Sequence, residues 1–259
     1  MKRIAFVVGD YPSEERTRRE KVALSYSTPE VQVGIVSTPV TPYIHGLTPA
    51  EMSLVAPALI DAFRDAERQG YDAVVPLGFL DLGVEGGRSV VDIPVIAPFQ
   101  AALHLAGILG DRLGLIAYHS KLLPLMEPYL HRYGMAHKVV GWEDSGFDLP
   151  DIAKNHDAMV ENFIRAGRKL VEEHRADVII PTGISQCPVH IDPKWAMKQI
   201  GVPIVEGIGA PIRLAAMFAD LGLTRAARAG RNRGRSKGSE SAASRRLLVS
   251  GRRRVAKFP

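Results

Sequence analysis

Cysteine is almost missing from this chain: of 259 residues only Cys187 carries a thiol. A single thiol excludes an internal disulfide framework and any multi-cysteine zinc site, and it fits a reducing compartment. Long hydrophobic runs are missing too. The opening MKRIAFVVGD has a short apolar stretch before charge and turn residues, which reads as a first β-strand rather than a signal or membrane segment. A cytoplasmic location without a membrane partner is therefore expected. Acidic residues are scarce at one end only. Beyond Thr224 lie twelve of the 33 Lys/Arg but a single Asp/Glu, Glu240, so the rest of the chain holds 21 basic and 27 acidic side chains, a net of −6. The overall +5 and the high isoelectric point thus belong to the tail. Residues 224–259 are Arg/Gly/Ser-rich and are expected to be disordered. They lack aromatics apart from Phe258, which leaves weak nonspecific polyanion contact as the expected role and excludes base-stacking recognition.

In the first 223 residues short β-branched runs alternate with longer helical stretches, the pattern of an α/β fold with parallel strands. Candidate strands are Arg3–Val8, Val31–Ser37, Ala73–Pro76, Pro94–Ala97, Leu113–Ala117, Ala176–Pro181 and Val202–Glu206. Helices are expected over Pro49–Gln69, with Thr48 as cap, over Lys121–Tyr133 and over His156–His174. An internal repeat organises these elements. The segment Tyr71–Gly78 (YDAVVPLG) reads like Arg175–Gly183 (RADVIIPTG), and each is followed by a second Ile/Val-Pro strand and an alanine-rich helix. Two pseudo-twofold-related parallel-sheet lobes are expected, residues 1–97 with 206–223 forming one and residues 98–205 the other, around a shared cleft. Ligands of open α/β sheets bind beyond the carboxyl ends of strands, where Gly78 and Gly183 lie. Glycine there admits close backbone approach, and amides at the following helix starts are expected to suit a carboxylate.

The segments YDAVVPLGFLDLGVEGGRSVVDIPVIAPFQAALHLA, GDRLGLIAY and ADVIIPTG, with IGVPIVEGIGAPIRLAA, resemble the aspartate/glutamate/hydantoin racemase superfamily. The resemblance spans most of residues 1–223. It implies a cofactor-independent enzyme in which two thiols face each other across the cleft, one removing a proton next to a carbonyl and the other returning one on the opposite face. The family's two cysteine positions fall here on Gly78 and Gly183, so the usual two-thiol mechanism is excluded. The loop in GLIAYHS is similar to the carboxylate-binding loop of arylmalonate decarboxylases and maleate isomerases. By that likeness Tyr118, His119 and Ser120 would bind a carboxylate or enolate oxygen.

Cys187, four residues past Gly183, is a candidate base or nucleophile, with a small buried filler as the alternative. His119 is the second catalytic candidate, because imidazole suits proton transfer near neutrality; an exposed loop histidine is the alternative. Asp10, Gly78, Phe79, Tyr118, Ser120, Thr182 and Gly183 are the expected substrate-binding residues. His190 and Asp192 follow Cys187 closely, and a Cys-x-x-His spacing can aim both side chains at one cavity, without making a metal site. Asp81 and Glu85 are expected to cap the next helix rather than orient a base. The glycine clusters Gly83–Gly87 and Gly207–Pro211 match neither a P-loop nor a dinucleotide fingerprint. The reading is an isomerase or racemase acting on a small carboxylate or cyclic amide through an enolate-like state. A lyase, decarboxylase or hydrolase on the same cleft is the alternative, as is a small-molecule-binding protein; homo-oligomerisation is compatible with each.

Overall fold

The computed structural model describes residues 1–38, 48–147 and 149–224. All of the expected tail except Thr224 lies outside the described residues. One sheet is built from β1 (Lys2–Val8), β2 (Val31–Ser37) and β3 (Ala73–Pro76), the other from β4 (Leu113–Ala117), β5 (Val139–Asp144) and β6 (Val178–Pro181). All pairings are parallel, and in each sheet the first strand in sequence lies at the centre, in the orders β2-β1-β3 and β5-β4-β6. Helices cover both faces, which is why Ile4–Val8 is an unbroken apolar run with every side chain buried.

The helices are α1 (Ser13–Leu24), α2 (Pro49–Arg68), α3 (Val84–Val90), α4 (Pro98–Leu109), α5 (Leu123–Arg132), α6 (Leu149–Ile152), α7 (His156–Glu172), α8 (Pro193–Ile200) and α9 (Gly209–Asp220). On one face of the first sheet, α2 packs Leu59, Ala62, Phe63 and Ala66 against Ala5, Val7 and Val74. The counterpart α7 packs Met159, Phe163, Ala166 and Leu170 against Ile116 and Ile179 of the second. The remaining faces are covered by exchange. The alanine-rich α4 follows the first lobe's last extended segment yet packs Phe99, Ala102, Leu103 and Ala106 on Leu115 and Ile180 of the second sheet. Conversely α9 packs Ile212, Ala215 and Ala216 on Ile4, Phe6 and Val75 of the first. Such burial contributes about 1.5–3 kcal/mol for each large apolar side chain, so the exchange ties the lobes together.

The repeat has a physical cause. The Asp72 carboxylate accepts the Arg3 amide at 2.7 Å, while Asp177 accepts the amides of Asp111 and Arg112 at 3.0 and 2.9 Å. Arg3 and Arg112 each return a guanidinium bond to carbonyls of the turn before that aspartate: Gln69 and Gly70 in one lobe, His174 and Arg175 in the other. Each Asp-Arg lock sets the register of the strand that carries a cleft glycine, Ala73 opposite Ile4 and Val178 opposite Leu113.

Thr48 and Glu51 form the expected reciprocal cap on α2. Three features differ from expectation. The segments 94–97 and 202–206 add only single bridges, Val74 to Val95 and Ile179 to Ile204. Pro94 and Pro203 lack an amide to donate, and the chain turns straight into α4 and α9. The strand β5 was not expected, because VVGWED has two β-branched residues and then Gly and acids; it is a half-exposed edge. Helix α1 also escaped, its sequence SEERTRREKVAL showing little apolar stripe. No helix among the described residues is long and apolar enough to cross a membrane.

Candidate functional site

The carboxyl ends of β1, β3, β4 and β6 deliver Asp10, Gly78, Tyr118 and Gly183 respectively. The loops after β3 and β6, one from each lobe, meet at Gly207: a side chain there would run into Phe79 and Ile184, the immediate neighbours of Gly78 and Gly183. Gly78 sits at φ +107°, which glycine adopts freely, and a Cβ at that position would meet no atom within 4 Å. Gly183 is the opposite case. A Cβ built there would come within 2.7 Å of the Tyr118 ring, so Tyr118 fills the space that a side chain at 183 would need.

The Tyr118 hydroxyl accepts the Ser185 amide at 2.8 Å, and burial pushes its pKa up to about 12. That amide is thus taken by the protein rather than offered to a ligand. Ser185 Oγ in turn accepts from Nη2 of Arg19, a fully buried residue of α1. Arg19 lies over the Tyr11 ring at 4.4 Å and donates Nη1 to the Glu15 carbonyl and to Glu15 Oε2, both at 2.6 Å. The other Glu15 oxygen, Oε1, lies 3.2 Å from His190 Nε2. The His190 hydrogen bond and the Arg19 guanidinium, working against burial, hold Glu15 down at about 2. A polar chain, His190–Glu15–Arg19–Ser185–Tyr118, therefore runs from α1 of one lobe to the strand ends of the other.

Two further carboxylates, Asp81 and Glu206, are buried. Asp81 accepts the Phe99 and Gln100 amides at 2.9 and 3.1 Å and the Tyr133 hydroxyl at 2.8 Å, and burial raises it to about 7. It caps α4, not the next helix α3, where Glu85 instead pairs with Arg88 at 3.2 Å. Glu206 accepts the amides of Ile208 and Gly209 at 2.6 and 2.7 Å and the Tyr26 hydroxyl at 3.1 Å, and burial raises its pKa as well. Both swapped helices thus have their amino termini occupied by the protein's own carboxyl groups, and the glycines at 207–211 offer no anion cradle.

The expected site residues separate into groups. Tyr118, Gly183 and Thr182 come together, with Thr182 Oγ1 bonded to the Ile116 carbonyl at 3.1 Å. Half-buried His119 follows Tyr118, and exposed Ser120 opens the short 3-10 turn Ser120–Leu122. Asp10 is exposed in the loop after β1. Phe79 is a core residue, edge-on to Phe99 at 5.6 Å. Cys187 is not brought to the polar chain. It is fully buried in the apolar cluster of Ile116, Met159, Phe163 and Ile179, where burial above all, with Glu206 and Asp192 behind it, pushes its thiol well above the usual range. The Cys-x-x-His spacing does not converge: His190 turns to Glu15, and Asp192 caps α8 by accepting the Trp195 amide at 2.7 Å. Arg19, Glu15 and Ser185 were missed, because nothing in a charged helix marks one arginine for burial.

Among the described residues no His/Cys/Asp/Glu group could hold a metal ion. A groove of about 870 Å³ runs along the outer face of α7 past Arg165, Lys169 and Trp195, and it is lined by none of the strand-end residues.

Comparison with known proteins agrees with this architecture. Hydantoin racemases from Pseudomonas sp. (strain NS671) and Rhizobium meliloti are 26% and 28% identical over 171 and 178 residues, covering 65% and 64% of this chain and 67% and 68% of theirs. The allantoin racemase structure from Klebsiella pneumoniae superposes with a TM-score of 0.78 at 18% identity, over 86% of this chain and 90% of that one. Arylmalonate decarboxylase matches with a TM-score of 0.59 at 18% identity, over 87% and 96%. The Asp/Glu/hydantoin racemase family model matches residues 20–215. That match takes in most of both lobes, and the chain is an isomerase-type enzyme belonging to the Asp/Glu/hydantoin racemase family.

Proposed function

We propose that this enzyme isomerises or racemises a small carboxylate or hydantoin-like cyclic amide through an enolate-like state, without a pair of facing thiols. The observation that carries the reading is Tyr118 lying across Gly183, a phenol where the resemblance implies a thiol. Burial raises Tyr118 to about 12 against the opposing pull of Arg19 and of the Ser185 amide, so the hydroxyl keeps its proton at neutral pH. It is then suited to donate to a developing enolate oxygen, with the positive charge of Arg19 alongside. His119, the next residue, is the candidate base that removes and returns the proton at carbon. The hydantoin racemase relatives support the cyclic-amide side of this substrate range.

The test is solvent deuterium uptake at the carbon next to the carbonyl, across hydantoins, aryl malonates, maleate and amino acids. His119→Ala is expected to lower exchange by about 10²–10⁴-fold, the range for loss of a general acid or base. Net loss of carbon dioxide or water from a panel member would favour the lyase alternative. If nothing exchanges or turns over while a panel member binds saturably, the protein is a binder and the enzymatic reading falls.

A further inference from the structure

We propose that Arg19 is the specificity-determining residue of this site, selecting substrates that carry a free carboxylate on or beside the reacting carbon over neutral cyclic amides. The inference rests on the reading of the site given above. A guanidinium has five N–H donors. Nη1 of Arg19 is spent on Glu15, and Nη2 bonds Ser185 Oγ, but Nε is buried with no partner. Folded proteins seldom leave a buried donor unsatisfied. Nε and Nη2 share one edge of the guanidinium, the edge that takes a carboxylate by two parallel bonds. Glu15 does not cover that edge: one of its oxygens binds Nη1 and the other faces His190. Arg19 is also in the right place: its face lies on the Tyr11 ring after β1, and its Nη2 bonds Ser185 after β6, whose amide holds Tyr118. A carboxylate seated on Nε and Nη2 would lie beside the phenol that faces the enolate oxygen.

The experiment is isothermal titration of the full chain with malonate and with hydantoin as the neutral comparator. Wild type is expected to bind malonate more tightly. Arg19→Lys keeps the charge but loses the fork, so it should weaken malonate by about tenfold or more and hydantoin by less than about twofold. Equal weakening of both ligands, no weakening, or a wild type that fails to bind malonate would overturn the proposal and leave Arg19 as a strut between the lobes. If Arg19→Lys does not fold, Ser185→Ala gives the reading. It frees only the Nη2 proton that Ser185 Oγ accepts and leaves Nε and the other Nη2 proton in place, so malonate binding should hold or tighten, and weaker binding would overturn the proposal. Binding and exchange fail separately. Malonate held through Arg19 without deuterium exchange removes the enzymatic reading alone, and exchange of hydantoins without malonate binding removes this one alone.

Discussion

Tyr118 and Gly183 are complementary: the ring of one occupies the place where the other would carry a side chain, with 2.7 Å between the ring and a Cβ built at 183. The Ser185 amide pins the phenol, so the ring cannot simply swing away. Gly183→Ala should therefore destabilise the protein by about 1–3 kcal/mol, the range for overpacking a filled site. In the double variant with Tyr118→Ala the clash disappears, and a coupling of about 0.5–3 kcal/mol should appear in urea unfolding. Strictly additive effects would show that the two positions do not compete for space.

Cys187 should behave as a core residue. Its thiol is fully buried and its ionisation is suppressed. A thiol reagent at pH 7 is expected to titrate nothing in the native protein and one equivalent in denaturant. Rapid native labelling with loss of activity would return Cys187 to the cleft.

Asp81 should make stability fall as pH rises. Its ordinary value is 3.8 and burial lifts it to about 7, so between those values the unfolded chain has lost the proton while the folded one keeps it. The folded state is favoured most below pH 4, and that advantage is lost by pH 7. Asp81→Asn should flatten the decline between pH 5 and 7.5 in urea titrations, relative to wild type. An unchanged difference between the two proteins across that range would contradict the assignment.

Glu15 has the opposite sign. Its value falls from 4.5 to about 2, through the His190 bond first and then Arg19, so its contribution is present above pH 4.5 and is lost as pH falls toward 2. Glu15→Ala leaves the buried Arg19 without its acid and should cost about 3 kcal/mol at pH 7. The gap between variant and wild type should narrow on acidification, which acid-unfolding curves followed by circular dichroism would reveal.

The legible part of this protein is the part written in local patterns. The strands β1, β3, β4 and β6 were readable because parallel strands buried on both faces must be continuous apolar runs. The repeat was readable because Asp72 and Asp177 perform the same register-locking bond and so recur in the same frame. The strand β5 was not, because a half-exposed edge strand obeys no such demand and VVGWED carries little signal. At the site, Tyr118 and Gly183 could be placed near each other by their positions at strand ends, but not the contact that makes one fill the other's space. Asp81 was readable as a cap, yet the helix it caps begins seventeen residues on, at Pro98.

The amino-acid sequence alone determined the α/β class, the two-lobe repeat and the unequal distribution of charge. Each follows from composition, or from spacing within a few residues. Which polar side chains are buried was decided only by the tertiary structure. Arg19 is one more charge in the run SEERTRREKVAL until the loop after β6 brings Ser185, 166 residues away, against it. Cys187 reads either as a cleft thiol or as a small buried filler until its loop turns the sulfur into the second lobe's core. Burial sets the hydrogen-bonding and ionisation of both groups, and burial depends on segments distant in the chain coming together, which no local pattern records.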